Sequence, residues 1–144
     1  MNGLSFEQAT RYAEWLSELT GERYRLPDHE EAESLYRPGA PEENTLDYWA
    51  GYPPNPEDAE ALLRLLEGLP GEAPLLRPVG QFPGRGEDEL VFDLGGNAAE
   101  WCLSSEGEGV LCGGSADRPA DPTSYGGLAS PPYRGMRVVR DTSP

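Results

Sequence analysis

The sequence predicts an α+β fold in one domain covering residues 1–144. Three observations lead there. The helix-period segments all lie before about residue 68. Beyond it the texture changes to short β-like runs between Gly and Pro: LLRPVGQF, ELVFDL, EWCL, GVLCGG and MRVVR. Helices come first and strands later, without alternation, which is the order of α+β rather than α/β chains. A length of 144 residues suits a single core and is short for two. No internal repeat is visible.

Each element has its own signal. Residues 5–20, SFEQATRYAEWLSELT, place Ala9, Tyr12, Ala13, Leu16 and Leu19 on one helical face. Ser5 and Gln8 have capping-box spacing, and Gly21 suits a left-handed stop. A short extended piece, Tyr24 to Pro27, leads to a second helix at about 28–37, capped by Asp28 with Glu31 three residues on. Residues 38–55 are rich in Pro, Gly, Asn and Tyr and read as loop. Asn55-Pro56 opens a third helix at about 56–68, with Glu57 and Asp58 complementing the dipole and Leu62, Leu63, Leu65 and Leu66 supplying an apolar side.

Charge excludes whole classes of partner. Twenty-six acidic residues face eleven basic ones, all arginine, for a net −15. Such a surface repels nucleic acid and anionic membranes. No stretch approaches membrane-spanning length. The opening MNGLSFEQATRYAEW lacks the basic start and apolar run of a signal peptide, so a cytoplasmic location is expected. Two cysteines make no disulfide scaffold.

The stretch FDLGGNAAEWC, residues 92–102, raises a chemical question. Two glycines and an asparagine interrupt the chain between apolar runs, with Asp93 and Glu100 at either side. A phosphate cradle is disfavoured, because neither a basic residue nor a helix follows. A turn with solvated acids and a metal loop both stay open. The latter makes sense chemically: a hard cation takes six to eight oxygens from carboxylates and carbonyls, and glycines let carbonyls turn inward.

Five pieces in order resemble one family. LSFEQATRYAEWLSELTGERYRLPDHEEAE is similar to the helix–RLP–helix segment of formylglycine-generating-enzyme-like (sulfatase-modifying-factor) domains. RPVGQFP, DLGGNAAEWC, LCGGS and YRGMRVVRD resemble that family's PVGSFP, GN-x-WEW, RGGSW and GFRVVRD motifs. The resemblance runs from about residue 4 to 141 and implies a C-type-lectin-like fold: two helices beside small, looped antiparallel sheets. It also implies a calcium site made by the side chains of Asp93 and Glu100 and the carbonyls of Gly96 and Ala98.

The same resemblance marks what is missing. The family's copper(I) site and oxidase chemistry rest on two cysteines in the pattern GGS-x-x-C-x-x-x-x-C. Arg118 and Thr123 stand there, and neither is a soft thiolate ligand. Copper and oxidase activity of the family type are therefore not expected. Ala99 and Ala116 stand where the family has tryptophans, so large side chains have become methyls; Trp101 keeps the second Trp of the motif and is expected in the core. The family carries a longer segment before its first helix, so the domain reads as shortened there, with a smaller sheet or an edge completed by a partner or a second copy.

Cys102 and Cys112 flank LSSEGEGVL, a hairpin with its turn near 106–109. Free thiols, a disulfide and a metal or redox role are all compatible with that spacing. His29 reads as a surface helix residue with nothing nearby to make a triad.

Three functions follow as expectations. The first is a non-catalytic module binding a protein or small molecule, its surface made by residues 116–134. Asp117, Arg118, Asp121, Tyr125, Tyr133 and Arg134 are the candidates, with Tyr48 and Trp49 at the margin. The second is a variable protein of a diversity-generating retroelement, a class that uses the implied fold. Residues 109–135 contain none of Glu, Gln, Lys, Met or Trp, the types that adenine mutagenesis of Asn codons cannot produce. The third is a divergent oxidase using Asp117, Arg118, Asp121 and Tyr125.

Overall fold

Helix α1, Phe6–Thr20, begins where its cap dictates: the Ser5 hydroxyl accepts from the Gln8 amide and the Gln8 side chain accepts from the Ser5 amide. These facts come from a computed structural model that describes residues 1–36, 42–83 and 91–142. Position 37 of the expected second helix, 38–41 of the expected loop and the first two residues of ELVFDL lie outside the described residues. α1 ends at Gly21, with φ 74°. It buries Ala9 and Ala13, while Leu19, expected on the same face, is exposed. The last turn is held instead by Ser17, whose hydroxyl donates to Ala13 and Tyr24 carbonyls and accepts from the Tyr24 amide.

Strand β1, Tyr24–Arg25, then reaches helix α2, His29–Leu35, whose cap Asp28 forms the expected box with Glu31. Arg25 ties these pieces together: its Nη1 and Nη2 meet Glu31 at 2.6 and 2.9 Å, and its Nε meets Asp141 at 2.9 Å. The Arg25 hydrogen bonds hold the Glu31 carboxyl below the usual glutamate value, against some desolvation. A carboxyl lowered in the folded state stabilises it above the unfolded pKa and loses that contribution as pH falls through the folded one. Glu31→Gln, which keeps the cap, should therefore cost about 1 kcal/mol at neutral pH. In urea titrations the difference from the parent should shrink once pH drops below about 4.5, the ordinary glutamate value. A pH-independent difference would mean that the pair contributes nothing.

The segment expected as loop contains a helix, α3, Leu46–Ala50, with Gly51 at its left-handed end. Composition hid it because five residues carry no period. Helix α4, Pro56–Glu67, starts at the Asn55 cap as expected. It buries Ala59, with Leu62, Leu63 and Leu66 half-buried, whereas Leu65 is exposed. His29 is on the surface, paired with Glu33.

The strands make two small sheets. β2, Ala99–Leu103, and β3, Gly109–Cys112, form an antiparallel hairpin closed by Ser104 and Glu108. β4, Arg134–Met136, lies parallel to β2 on its other side, and β5, Val139–Arg140, pairs antiparallel with β1. The parallel pairing corrects the all-antiparallel expectation. Parallel neighbours need a long crossover, and residues 113–133 supply it as loop ending in a 3-10 turn, Pro131–Tyr133. LLRPVGQF and ELVFDL form no ladder among the described residues, only a bridge between Pro83 and Phe92. Two prolines remove donors there, and the Asp93 carboxylate takes the Gly80 and Phe82 amides.

The outer edge of β4 is closed by the chain itself. Asn2 bridges Gly135, the Leu4 amide donates to the Arg134 carbonyl, and Trp101 Nε1 donates to the Leu4 carbonyl. The Trp101 ring, half-buried, packs 5.9 Å from Phe6. A core of Leu75, Ala99, Ala116, Ala129 and Tyr133 sits between β2, the crossover and α4, with Leu66 packed against it. Among the described residues no helix is long and apolar enough to cross a membrane.

Candidate functional site

The 93–100 turn is built by backbone strain that its side chains relieve. Asp93 and Asn97 both have positive φ, 60° and 71°, a region Asp and Asn tolerate better than other non-glycine residues. Asn97 is buried. Its Oδ1 accepts from the Arg77 amide and from Asn44 Nδ2, and its Nδ2 donates to the Arg77 carbonyl. Asn44 in turn donates to the Leu75 carbonyl and accepts from Trp49 Nε1. Three chain segments thus meet on two buried amides.

Asp93, Gly96, Ala98 and Glu100 all line one cavity of about 380 Å³, together with Arg137. Glu100, 8% exposed, is held by Arg137 through Nε to Oε2 at 2.9 Å and Nη2 to Oε1 at 3.0 Å. The Tyr36 hydroxyl also donates to Oε2. Burial and the Glu100 charge push the Tyr36 phenol up, so it stays a donor. Burial draws the Arg137 pKa down, but Glu100 more than offsets that.

The donor set fits a hard cation in kind. A carboxylate offers about four lone-pair sites. Three hydrogen bonds on Glu100 leave one, and the two on Asp93 leave two. Among the described residues no group of three or more His, Cys, Asp and Glu side chains is placed to hold a metal ion, so any cation here would rely on the backbone carbonyls as well.

The 116–134 crossover is internally anchored. Asp117, 1% exposed, accepts from Ser115 Oγ, Arg118 Nη1 and the Ser130 amide. Arg118 also donates to the Asp117 and Leu128 carbonyls, and its guanidinium stacks 5.9 Å from the Tyr125 ring. Tyr133 is buried in the core and its hydroxyl accepts from the Leu75 amide. Arg134 donates to the Ala129 carbonyl and lies over Trp101. Asp121 is exposed and folds its own turn by accepting from the Thr123 amide and hydroxyl.

Two cavities flank Arg118 and Tyr125, which line both. One, of about 510 Å³, opens between the crossover and α4, where Leu63, Arg64 and Glu67 contribute. The other, of about 320 Å³, reaches Tyr36, Ser115 and Ala99, the methyl at a family tryptophan position. Of the residues expected at a ligand surface, Asp117, Arg118, Tyr125 and Tyr133 are brought together here. Tyr48 and Trp49 line neither cavity. Both are half-exposed, packed edge to face, with Arg77 bonded to the Tyr48 hydroxyl. Their helix α3 meets the crossover where the Leu46 amide donates to the Arg118 carbonyl and Asp47 accepts from the Ala120 amide.

A family model, the sulfatase-modifying factor enzyme 1-like domain, matches residues 1–142. The chain belongs to that family. No curated protein and no solved structure matches it. In this sulfatase-modifying factor enzyme 1-like domain, sequence reasoning missed Tyr36, Asn44 and Arg137. Arg137 lies in a quoted motif, MRVVR, and an arginine inside an apolar strand-like run is itself a signal for a buried acidic partner. Tyr36 and Asn44 carry no such mark, since they act through the tertiary meeting of distant loops.

Proposed function

We propose that this domain is a non-catalytic binding module whose ligand, a protein segment or small molecule, is taken at the two cavities flanking Arg118 and Tyr125. One observation carries the reading: Arg118, at the position of the family's first copper thiol, is spent on Asp117 and Leu128 and lines both cavities. Thr123, at the second, is exposed and bonded to Asp121. The helices before small looped sheets support a C-type-lectin-like fold, and two free cysteines suit a reducing compartment such as the cytoplasm. Loops held by a rigid frame are where such folds place recognition.

Two measurements test it. Copper-loaded protein with a cysteine-containing peptide should take up no oxygen above background; copper-dependent uptake would restore the oxidase reading. A ligand-observed NMR screen of small carboxylic acids and amines should give binders that Tyr125→Ala weakens about tenfold and Trp49→Ala leaves unchanged. Equal loss in both variants would move the site elsewhere. The exposure of residues 121–123 and 126–128 favours the variable retroelement protein as a second reading, since diversified positions must face outward.

Calcium is the cofactor we propose, held by Asp93 and Glu100 carboxylates and the Gly96 and Ala98 carbonyls, where it would fix the turn. Its binding to the folded state alone raises stability by mass action. The parent should melt higher in calcium than in chelator, and Asp93→Asn, which tolerates the same positive φ, should lose that shift. A parent indifferent to calcium would remove the cation from the reading.

A further inference from the structure

We propose that the outer shoulder of α1 is a docking surface for a basic amphipathic helix of a partner protein. α1 contributes to neither cavity flanking Arg118, so the proposal stands apart from the binding reading. Successive helix residues turn by about 100°. From the buried Ala9 and Ala13 face, Leu16, Tyr12, Leu19 and Trp15 therefore follow one another around the circumference. Leu16 and Tyr12 are half-buried, but Leu19 and Trp15 are 65% and 51% exposed. The apolar arc is wider than the core it packs on. A single exposed leucine is ordinary, but a tryptophan and a leucine one turn apart beside a tyrosine make a ridge. The Tyr12 and Trp15 rings sit 5.5 Å apart, tilted by 46°. That contact restricts their rotamers in advance of a partner.

Charge at the border of the ridge decides what fits it. Beyond Trp15 the circumference carries Arg11, Glu18, Glu7 and Glu14, all exposed. Arg11 is tied to Glu7 at 2.8 Å. Among the described residues Glu14 and Glu18 have no ion-pair partner. Like charges four apart on a helix destabilise it slightly, and a cationic partner turns that repulsion into attraction. An apolar ridge with an acidic border is complementary to an apolar stripe bordered by Lys or Arg. The alternatives suit it less. A second copy would bring the same two glutamates, and a net charge of −15, against each other. Anionic membranes take helices whose polar border is basic.

Spacing selects a helix over a strand as the occupant. Tyr12, Trp15 and Leu19 step by three and then four residues, rising about 4.5 and 6 Å along the axis. A facing helix meets that row with its own i, i+3 and i+7 residues. A strand presents a residue on one face only about every 7 Å. The contact is therefore helix against helix, apolar at its centre and salt-sensitive at its acidic border.

The test uses two synthetic leucine–lysine peptides of one composition, each of about 18 residues. One is patterned with every leucine on a single helical face, and the other is scrambled so that no such face forms. Fluorescence anisotropy should show the patterned peptide binding at least about tenfold more tightly than the scrambled one. Trp15→Ser with Leu19→Ser keeps the charge and should remove that advantage, with circular dichroism confirming the fold. Glu14→Gln with Glu18→Gln should weaken the patterned peptide about threefold and flatten its salt dependence. Leu65→Ser, at a comparably exposed leucine of α4, should change nothing. Backbone amide shifts of the parent need no variant: the patterned peptide should move residues 8–22 and leave 113–134 in place. Equal affinity for the two peptides, unchanged binding by the Trp15 and Leu19 variant, or shifts centred elsewhere would overturn the proposal. So would self-association of the parent, or adsorption to phosphatidylserine vesicles, that the same double substitution abolishes, because the ridge would then belong to a second copy or to a membrane.

Discussion

Arg137→Ala should lower the unfolding free energy by about 3–5 kcal/mol, the cost of leaving a buried carboxylate without its cation. Glu100 is buried and accepts two hydrogen bonds from one guanidinium, with Tyr36 as its further donor among the described residues. Arg137 also donates to the Phe92 carbonyl at 2.7 Å, so the variant loses a clamp on the turn as well. Removing both charges, as Glu100→Gln with Arg137→Met, should be milder than Arg137→Ala alone, because no charge is then stranded. Urea titration reads both. Arg11→Ala, which breaks an exposed pair with Glu7, is the control and should change stability by less than about 0.5 kcal/mol. If Arg137→Ala were equally mild, the Glu100 pair would belong with the surface bridges. The variant also bears on the cation: with the guanidinium gone, calcium should stabilise Arg137→Ala more than the parent, since it would offset the stranded charge.

The parts of this fold legible in the sequence are those with local causes. Ser5 with Gln8, Asp28 with Glu31 and Asn55 with Pro56 each set a helix start within one turn, and Gly21 stops one. Those signals need no partner from elsewhere. Leu19 and Leu65 were misplaced for the opposite reason: a helical face says which residues agree with each other, not how far the core extends along it. The parallel seat of β4 was invisible because it depends on a thirty-residue excursion returning beside β2.

The candidate site divides the same way. The 92–102 stretch announced itself by composition, and its four expected residues do share a cavity. What the pattern could not convey is that a guanidinium from residue 137 enters that cavity, or that Asn44 reaches the turn from a segment read as loop. In the crossover, Tyr133 looked like a recognition residue by type and is a core residue by place, closing on Leu75. Replacing it would test packing rather than binding, which is why Tyr125 is the better probe.

Gly114→Ala should be among the most damaging single substitutions in the chain. A Cβ at Gly114 would lie 2.1 Å from the Gly95 carbonyl oxygen and 2.9 Å from its carbon, both backbone atoms that no rotamer change can move. The neighbouring turn is as tight: a Cβ at Gly96 would meet the Asn44 carbonyl oxygen at 2.5 Å. The GGN and GGS stretches are thus one packing device, in which the backbone at 95–96 comes up against that at 113–114 and at Asn44 because the glycines lack side chains. Forcing a methyl between them should cost about 3 kcal/mol or more, at the upper end for overpacking. Gly126→Ala, in the same crossover but with open space around it, should stay within about 0.5 kcal/mol of the parent. The contrast reaches function, because Ser115, Asp117 and Arg118 follow directly and take their positions from the Gly114 backbone. Any compound found at the Arg118–Tyr125 cavities should bind Gly126→Ala normally. It should lose affinity for Gly114→Ala even at temperatures where that variant is still folded, and normal binding there would show that the glycine contact stabilises the domain without positioning its site.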